Sequence, residues 1–179
     1  MAAESDNAAP LRIALLTAAD VAPYRTLMLH AYTHAADAFT STADERAAEP
    51  ESWWLHRVAD PAGFTAAFGA FAGDALVGTV ALEFASRSKT RHKALVVGMY
   101  VLAAWRGRGV ARDLLGAAIA YAQQRGGVSV LQLEVTDGNA AATALYRSLG
   151  FEPYGLEPLA VQLAGGLRAK LHMWLALNG

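Results

Sequence analysis

The 179-residue chain contains no cysteine. That removes disulfides, thiolate nucleophiles and cysteine-based metal sites, and it fits a reducing compartment. Charge of one sign is also missing: the formal net charge is −1, whereas general nucleic-acid binders carry a marked basic excess. Any anion site must therefore be local. No stretch approaches the roughly 18 uninterrupted apolar residues of a membrane span. The opening "MAAESDNAAP" has neither the basic nor the apolar region of a secretory signal. A soluble, cytoplasmic protein without membrane or nucleic-acid partners is the expectation. Linkers, internal repeats and low-complexity segments are absent too, apart from an alanine bias. Residues 1–10 are expected to form a flexible tail ahead of one domain over residues 11–179.

What is present is apolar. Hydrophobic residues make up 54% of the chain and charged residues 17%, enough to bury a sizeable core. "LRIALL" (Leu11 to Leu16) reads as a strand. Tyr24, Leu27, Met28 and Ala31 then give one buried helical face, with Thr17 and Asp20 placed to cap it. A capping box at Thr42 and Glu45 opens a second helical region, which Pro50 interrupts before Trp53, Trp54 and Val58. Two strands follow, joined at Gly73-Asp74. "KALVVGMYVL" (Lys93 to Leu102) has the near-continuous apolar pattern of a central strand covered on both faces. Val110, Ala111, Leu114, Leu115, Ala118, Ile119 and Ala122 mark a helix that Gly126-Gly127 stops. "VSVLQLEV" is a further strand, Asn139 N-caps a helix ending before Gly150, and two strands turn at Gly165-Gly166. The expected order is β-α-α-β-β-β-α-β-α-β-β, a mixed α/β domain.

Between the central strand and its helix lies "WRGRGVA" (Trp105 to Ala111). A glycine-rich turn entering a helix N-terminus has the parts of an anion site: orphan N–H groups, a positive dipole end and room for close approach. Arg106 and Arg108 add charge-assisted donors. A solvated strand-to-helix turn is the alternative. No Walker-type run is present, and a dinucleotide fingerprint from Gly107 and Gly109 fails because Arg112 stands where the third glycine belongs. The spacing Arg/Gln-x-x-Gly-x-Gly/Ala is met by Arg106, Gly109 and Ala111.

"VGMYVLAAWRGRGVARDLL" resembles motif A of the GNAT superfamily of N-acetyltransferases. The second half of that signature lies downstream in "NAAATALYRSLGF", with Asn139, Ala142, Leu145, Tyr146, Gly150 and Phe151 matching Asn-x-x-Ala-x-x-Leu-Tyr-x-x-x-Gly-Phe. The resemblance runs from about Val97 to Phe151. It implies a single GNAT-like domain: a mixed central sheet of about seven strands with splayed central strands, flanked by about four helices. It further implies an acetyl-CoA-dependent N-acetyltransferase acting on a primary amine by direct attack in a ternary complex. A non-catalytic acyl-CoA-binding module of the same fold is the alternative.

By the same resemblance the residues Arg106, Gly107, Arg108, Gly109, Val110 and Ala111 hold the pyrophosphate of acetyl-CoA, mainly through backbone N–H groups. Backbone groups of Met99, Tyr100 and Val101 on the splayed strand pair with the pantetheine arm, as a peptide pairs with a strand edge. Gly98 suits a bulge there or simple packing. Asn139 combines an N-cap with a cofactor contact, and Tyr146 protonates the departing thiolate.

The amine must reach the thioester unprotonated, although an alkylammonium has a pKa of about 10.4. A base is therefore needed, and Glu83, placed by alternation on one strand face with Val77, Thr79 and Ala81, is the leading candidate. Glu134 and His92 are weaker ones. "RSKTRHK" (Arg87 to Lys93) reads as an exposed basic loop, or as a contact for an acidic substrate or the 3′-phosphate of CoA. His30 and His34 share a helical face, but Ala31 stands where a His-Glu-x-x-His site needs glutamate, so no metal is expected. The apolar final strands suit a homodimer. The acceptor-side elements match no motif.

Overall fold

The structure, a computed structural model, describes residues 10–177. All but Pro10 of the expected tail lies outside the described residues. Seven strands form one sheet in the order β1-β2-β3-β4-β5-β7-β6. The strands are β1 (Leu11–Leu15), β2 (Thr65–Ala72), β3 (Ala75–Phe84), β4 (Lys93–Val101), β5 (Val130–Thr136), β6 (Glu152–Leu163) and β7 (Gly166–Ala176). The α-helices are α1 (Val21–His34), α2 (Ala43–Ala47), α3 (Glu51–Ala59), α4 (Val110–Gln124) and α5 (Ala140–Ser148). Neighbouring strands pair antiparallel except β4 with β5. No helix among the described residues is long and apolar enough to cross a membrane.

Local chemistry explains the element ends. The Thr42 hydroxyl accepts from the Glu45 N–H while the Glu45 carboxylate accepts from the Thr42 N–H, closing the capping box of α2. Pro50 precedes α3 as its N-cap, where a missing N–H costs nothing. Gly150, at φ 92°, ends the turn after α5 in a left-handed conformation that side chains disfavour.

The sheet separates two apolar clusters. One joins Leu114, Leu115 and Ala118 of α4 to Val80, Leu82 and Leu131 of the sheet. The other joins Tyr24, Met28 and Ala31 of α1 and Trp54 of α3 to Ala67, Phe71 and Ala81. An irregularity in β3 corrects one expectation. Ala70 pairs with Gly78 but Phe71 pairs with Leu76, so Val77 is an extra residue on β3. The bulge reverses the alternation. Val77 therefore packs in the α4 cluster, while Ala81 packs in the α1 cluster and Glu83 pairs with Arg57 of α3.

A second irregularity opens the sheet. Thr79 pairs with Tyr100 and Ala81 with Val97, so Gly98 and Met99 together oppose Val80. Gly98 has φ 61°, which settles the choice between bulge and packing in favour of the bulge. Just before it, after Leu95, β4 and β5 separate. They pair only from Lys93–Leu95 to Val130–Gln132, which is the expected splay.

Leu114 is fully buried against this sheet. Leu114→Ala should cost about 2–5 kcal/mol, a fall of roughly 5–15 °C in Tm for a chain of this size. Leu15, 46% exposed on β1, should change stability by less than about 0.5 kcal/mol when cut to alanine. Calorimetry on the two variants checks both.

Candidate functional site

The glycine-arginine turn follows β4. Gly107 and Gly109 have φ of 73° and 81°, and a Cβ on either would meet nothing within 4 Å. Backbone conformation, not crowding, requires glycine here. Gly109 caps α4 without any side-chain hydrogen bond, so the first N–H groups of that helix take no side-chain acceptor. A hollow of about 240 Å³ lies at this point, lined by Val101, Arg106, Gly107, Gly109, Val110 and Ala111 together with Trp105, Arg112 and Leu145.

Arg106 Nε donates to the Val101 carbonyl at 3.0 Å, with its guanidinium 5.6 Å from the Tyr100 ring centroid. Arg108 instead lies over Trp105 at 5.0 Å and stays out of the hollow's lining. Arg112 takes a place in that lining, and its Nη2 donates to Ser148 Oγ at 2.8 Å. In the sequence Arg112 is only the residue that spoils a dinucleotide fingerprint. No spacing rule singles it out as a hollow residue.

Between the parted strands lies a slot of about 130 Å³. Val96, Val97, Gly98 and Met99 form one wall and Glu134, Val135 and Thr136 the other, with Asn139, Ala142 and Tyr146 at one side and Ala38 and Phe39 at the other. Asn139 Oδ1 accepts from the Ala142 N–H at 3.2 Å, so it caps α5 while lining the slot. Tyr146 is 8% exposed and meets Phe151 edge-on at 5.9 Å. Burial pushes its phenol up to about 12, which keeps the proton on it at neutral pH. The Tyr100 side chain turns the other way, its hydroxyl 3.0 Å from His30 Nδ1.

The slot continues into a chamber of about 240 Å³ on the α1–α3 side, sharing Ala38, Phe39, Val96, Val97, Gly98 and Glu134 with it. Arg46, Arg57, Glu83 and Lys170 line the chamber. Glu83 forms an ion pair with Arg57. Lys170 Nζ lies 3.0 Å from Glu134 Oε2 and 2.7 Å from Thr40 Oγ1. Glu134 is the carboxylate, among the described residues, that lines both slot and chamber. Burial pushes the nearby Tyr24 phenol up, against the pull of the Arg57 charge.

The sequence candidates thus fall into three groups. Val101, Arg106, Gly107, Gly109, Val110 and Ala111 share the hollow, Met99, Asn139 and Tyr146 the slot, and Glu83 the chamber. The basic loop of residues 87–93 enters β4 at the end opposite the turn, roughly 25–30 Å away for a nine-residue strand. His92 sits there too, its carbonyl accepting from Ser129 and Val130. The 3′-phosphate contact does not fit that placement, and His92 lines neither slot nor chamber. His30 and His34 stack at 3.9 Å, and the described residues contain no group of three or more potential metal ligands.

The acetyltransferase (GNAT) family model matches residues 28–151. Among curated proteins, the N-alpha-acetyltransferase RimI of Mycobacterium tuberculosis is 38% identical over 98 residues, 54% of this chain and 58% of that protein. The uncharacterized protein ML0378 of Mycobacterium leprae is 51% identical over 55 residues, 31% of this chain. The chain spans only 14% and 58% of the lengths of these two relatives. Among solved structures, the ribosomal-protein-alanine N-acetyltransferase of Brucella melitensis is 27% identical with a TM-score of 0.74, covering 92% of this chain and 99% of that one. The structure of yncA from Salmonella typhimurium with its cofactor acetyl-CoA is 24% identical, TM-score 0.79, over 96% of each chain.

The raised Tyr146 value carries a pH signature. Its contribution to native stability is complete below the ordinary tyrosine value of about 10 and is lost as pH rises towards about 12. Alkaline titration followed by tyrosinate absorbance should show a transition near the upper value that Tyr146→Phe lacks. That variant should also lose less stability across the interval.

Proposed function

This chain belongs to the acetyltransferase (GNAT) family, and from that premise we propose that it transfers the acetyl group of acetyl-CoA to a primary amine by direct attack in a ternary complex. One observation carries the reading. A hollow of uncapped helix N–H groups lies beyond the end of β4, and a slot between the parted strands shares its lining with a charged chamber.

The residues present fit acetyl-CoA. Left-handed Gly107 and Gly109, with open space around them, leave the α4 N-terminus accessible to a pyrophosphate. Arg106 and Arg112 add donors at its rim, and Arg108, stacked on Trp105, joins by turning outward. Backbone groups of Met99, Tyr100 and Val101, on the β4 edge that β5 has left, suit the amides of a pantetheine arm. Acetyl-CoA supplies an acetyl group activated as a thioester.

Glu134 takes the proton that the amine loses, because it alone among the described carboxylates faces both slot and chamber. Glu83, the base expected from the sequence, pairs with Arg57 and lines the chamber but not the slot. Asn139 steadies the start of α5, and the Tyr146 hydroxyl gives its proton to the departing sulfur. Burial makes that hydroxyl a weak acid, so its proton moves only as charge develops on the sulfur.

The names of the relatives support an α-amine at a peptide N-terminus as the acceptor. RimI of M. tuberculosis is an N-alpha-acetyltransferase, and the B. melitensis protein acts on a ribosomal-protein alanine. Exposed Tyr154, Leu156, Leu159, Leu167 and Trp174 on the edge hairpin β6–β7 support a homodimer.

Thiol-release kinetics test the roles. Tyr146→Phe and Glu134→Gln should each lower kcat by about 10²–10⁴ with the acetyl-CoA KM nearly unchanged. Wild-type kcat in either variant removes that residue from the mechanism.

A further inference from the structure

The chamber holds more positive than negative side chains. Arg46, Arg57 and Lys170 line it against Glu83 and Glu134. Arg57 is paired with Glu83, and Lys170 with Glu134. Arg46 is the cation that pairs with no carboxylate of the lining. Its Nη1 reaches Glu49, which is not part of the lining, at 3.5 Å, the outer limit of a hydrogen bond. Its Nε is buried and has no hydrogen-bond partner among the described residues.

Arg46 is nevertheless held in place. Its guanidinium lies 4.4 Å from the Trp53 ring centroid, with Arg57 on the same ring at 5.2 Å. Stacking on an aromatic face fixes a guanidinium plane. A buried N–H without an acceptor is unfavourable, and a carboxylate is the partner whose geometry matches the Nε–Nη edge of arginine. The long contact to Glu49 is weak enough for a better acceptor to replace it.

Resting on the acetyltransferase reading above, we propose that Arg46 binds an anionic group on the acceptor, so that the preferred acceptor is an amine carrying a carboxylate. The amine lies at the Glu134 end of the chamber, beside Gly98, and the carboxylate at the Arg46 end. About 240 Å³ accommodates a short acceptor, or the first part of a longer one. The carboxylate belongs either to a free amino acid or to an acidic side chain near a peptide N-terminus. Both present the same chemistry to Arg46.

Two matched pairs separate these sources: alanine against alaninamide, and the tripeptide amide Ala-Glu-Ala against Ala-Gln-Ala. Each is assayed by thiol release with saturating acetyl-CoA. In the wild type, the anionic member of at least one pair should be favoured by about tenfold or more in kcat/KM. The pair that shows the preference identifies the source. In Arg46→Met, which keeps the packing on Trp53, the preference should collapse to within about threefold. Arg46→Lys should restore part of it. The melting-temperature rise with acetyl-CoA should persist in both variants, showing that they fold and bind the donor. Equal or better turnover of the neutral members overturns the inference and leaves the acetyltransferase reading intact. So does a preference that survives Arg46→Met. Failure of every amine to release thiol, despite an acetyl-CoA shift, overturns the catalytic reading and this inference with it.

Discussion

A strand that leaves its parallel neighbour after three paired residues has to do something with the hydrogen-bonding groups beyond that point. β4 and β5 pair only over Lys93–Leu95 and Val130–Gln132. From Val96 onward the β4 edge has no strand partner on that side, in the middle of a sheet packed on both faces. Unpaired peptide groups are tolerated there only if something polar reaches them. The glycine bulge at Gly98 keeps β4 joined to β3 while it turns away from β5. Hollow, slot and chamber all depend on that one divergence.

The two faces of the sheet do different work around it. On the α4–α5 side the site is mostly backbone: helix N–H groups freed by two left-handed glycines, with Tyr146 buried at the end of the slot. On the α1–α3 side it is mostly charge, arranged as Arg57 with Glu83 and Lys170 with Glu134. A backbone cradle suits a donor that is the same in every turnover. Side-chain charge suits recognition of an acceptor, since its sign and spacing are set by a few residues from α2, α3 and β7.

That division also explains what could be read from the residues. The turn, the N-cap and the buried helix stripes are local, so spacing alone places them: Gly107 and Gly109, Thr42 with Glu45, and Leu114 with Leu115 and Ala118. The splay comes from the family resemblance, while a glycine in an apolar run leaves bulge and packing equally open. Val77 was misplaced because a bulge breaks the period of two on which alternation rests. The chamber was not legible. Arg46, Arg57, Glu134 and Lys170 meet from segments far apart in the chain, and no spacing rule joins them. Glu83 is reached by its strand position, but its partner Arg57 sits on another element.

The proposed route of the donor follows the β4–β5 divergence, and a crystal structure of the protein with CoA reads it out. The pyrophosphate should lie on the backbone N–H groups between Gly107 and Ala111. The pantetheine should run along the free edge of β4 past Met99, with the sulfur beside Tyr146. A pyrophosphate bound elsewhere, or a pantetheine that stays outside the slot, would contradict it.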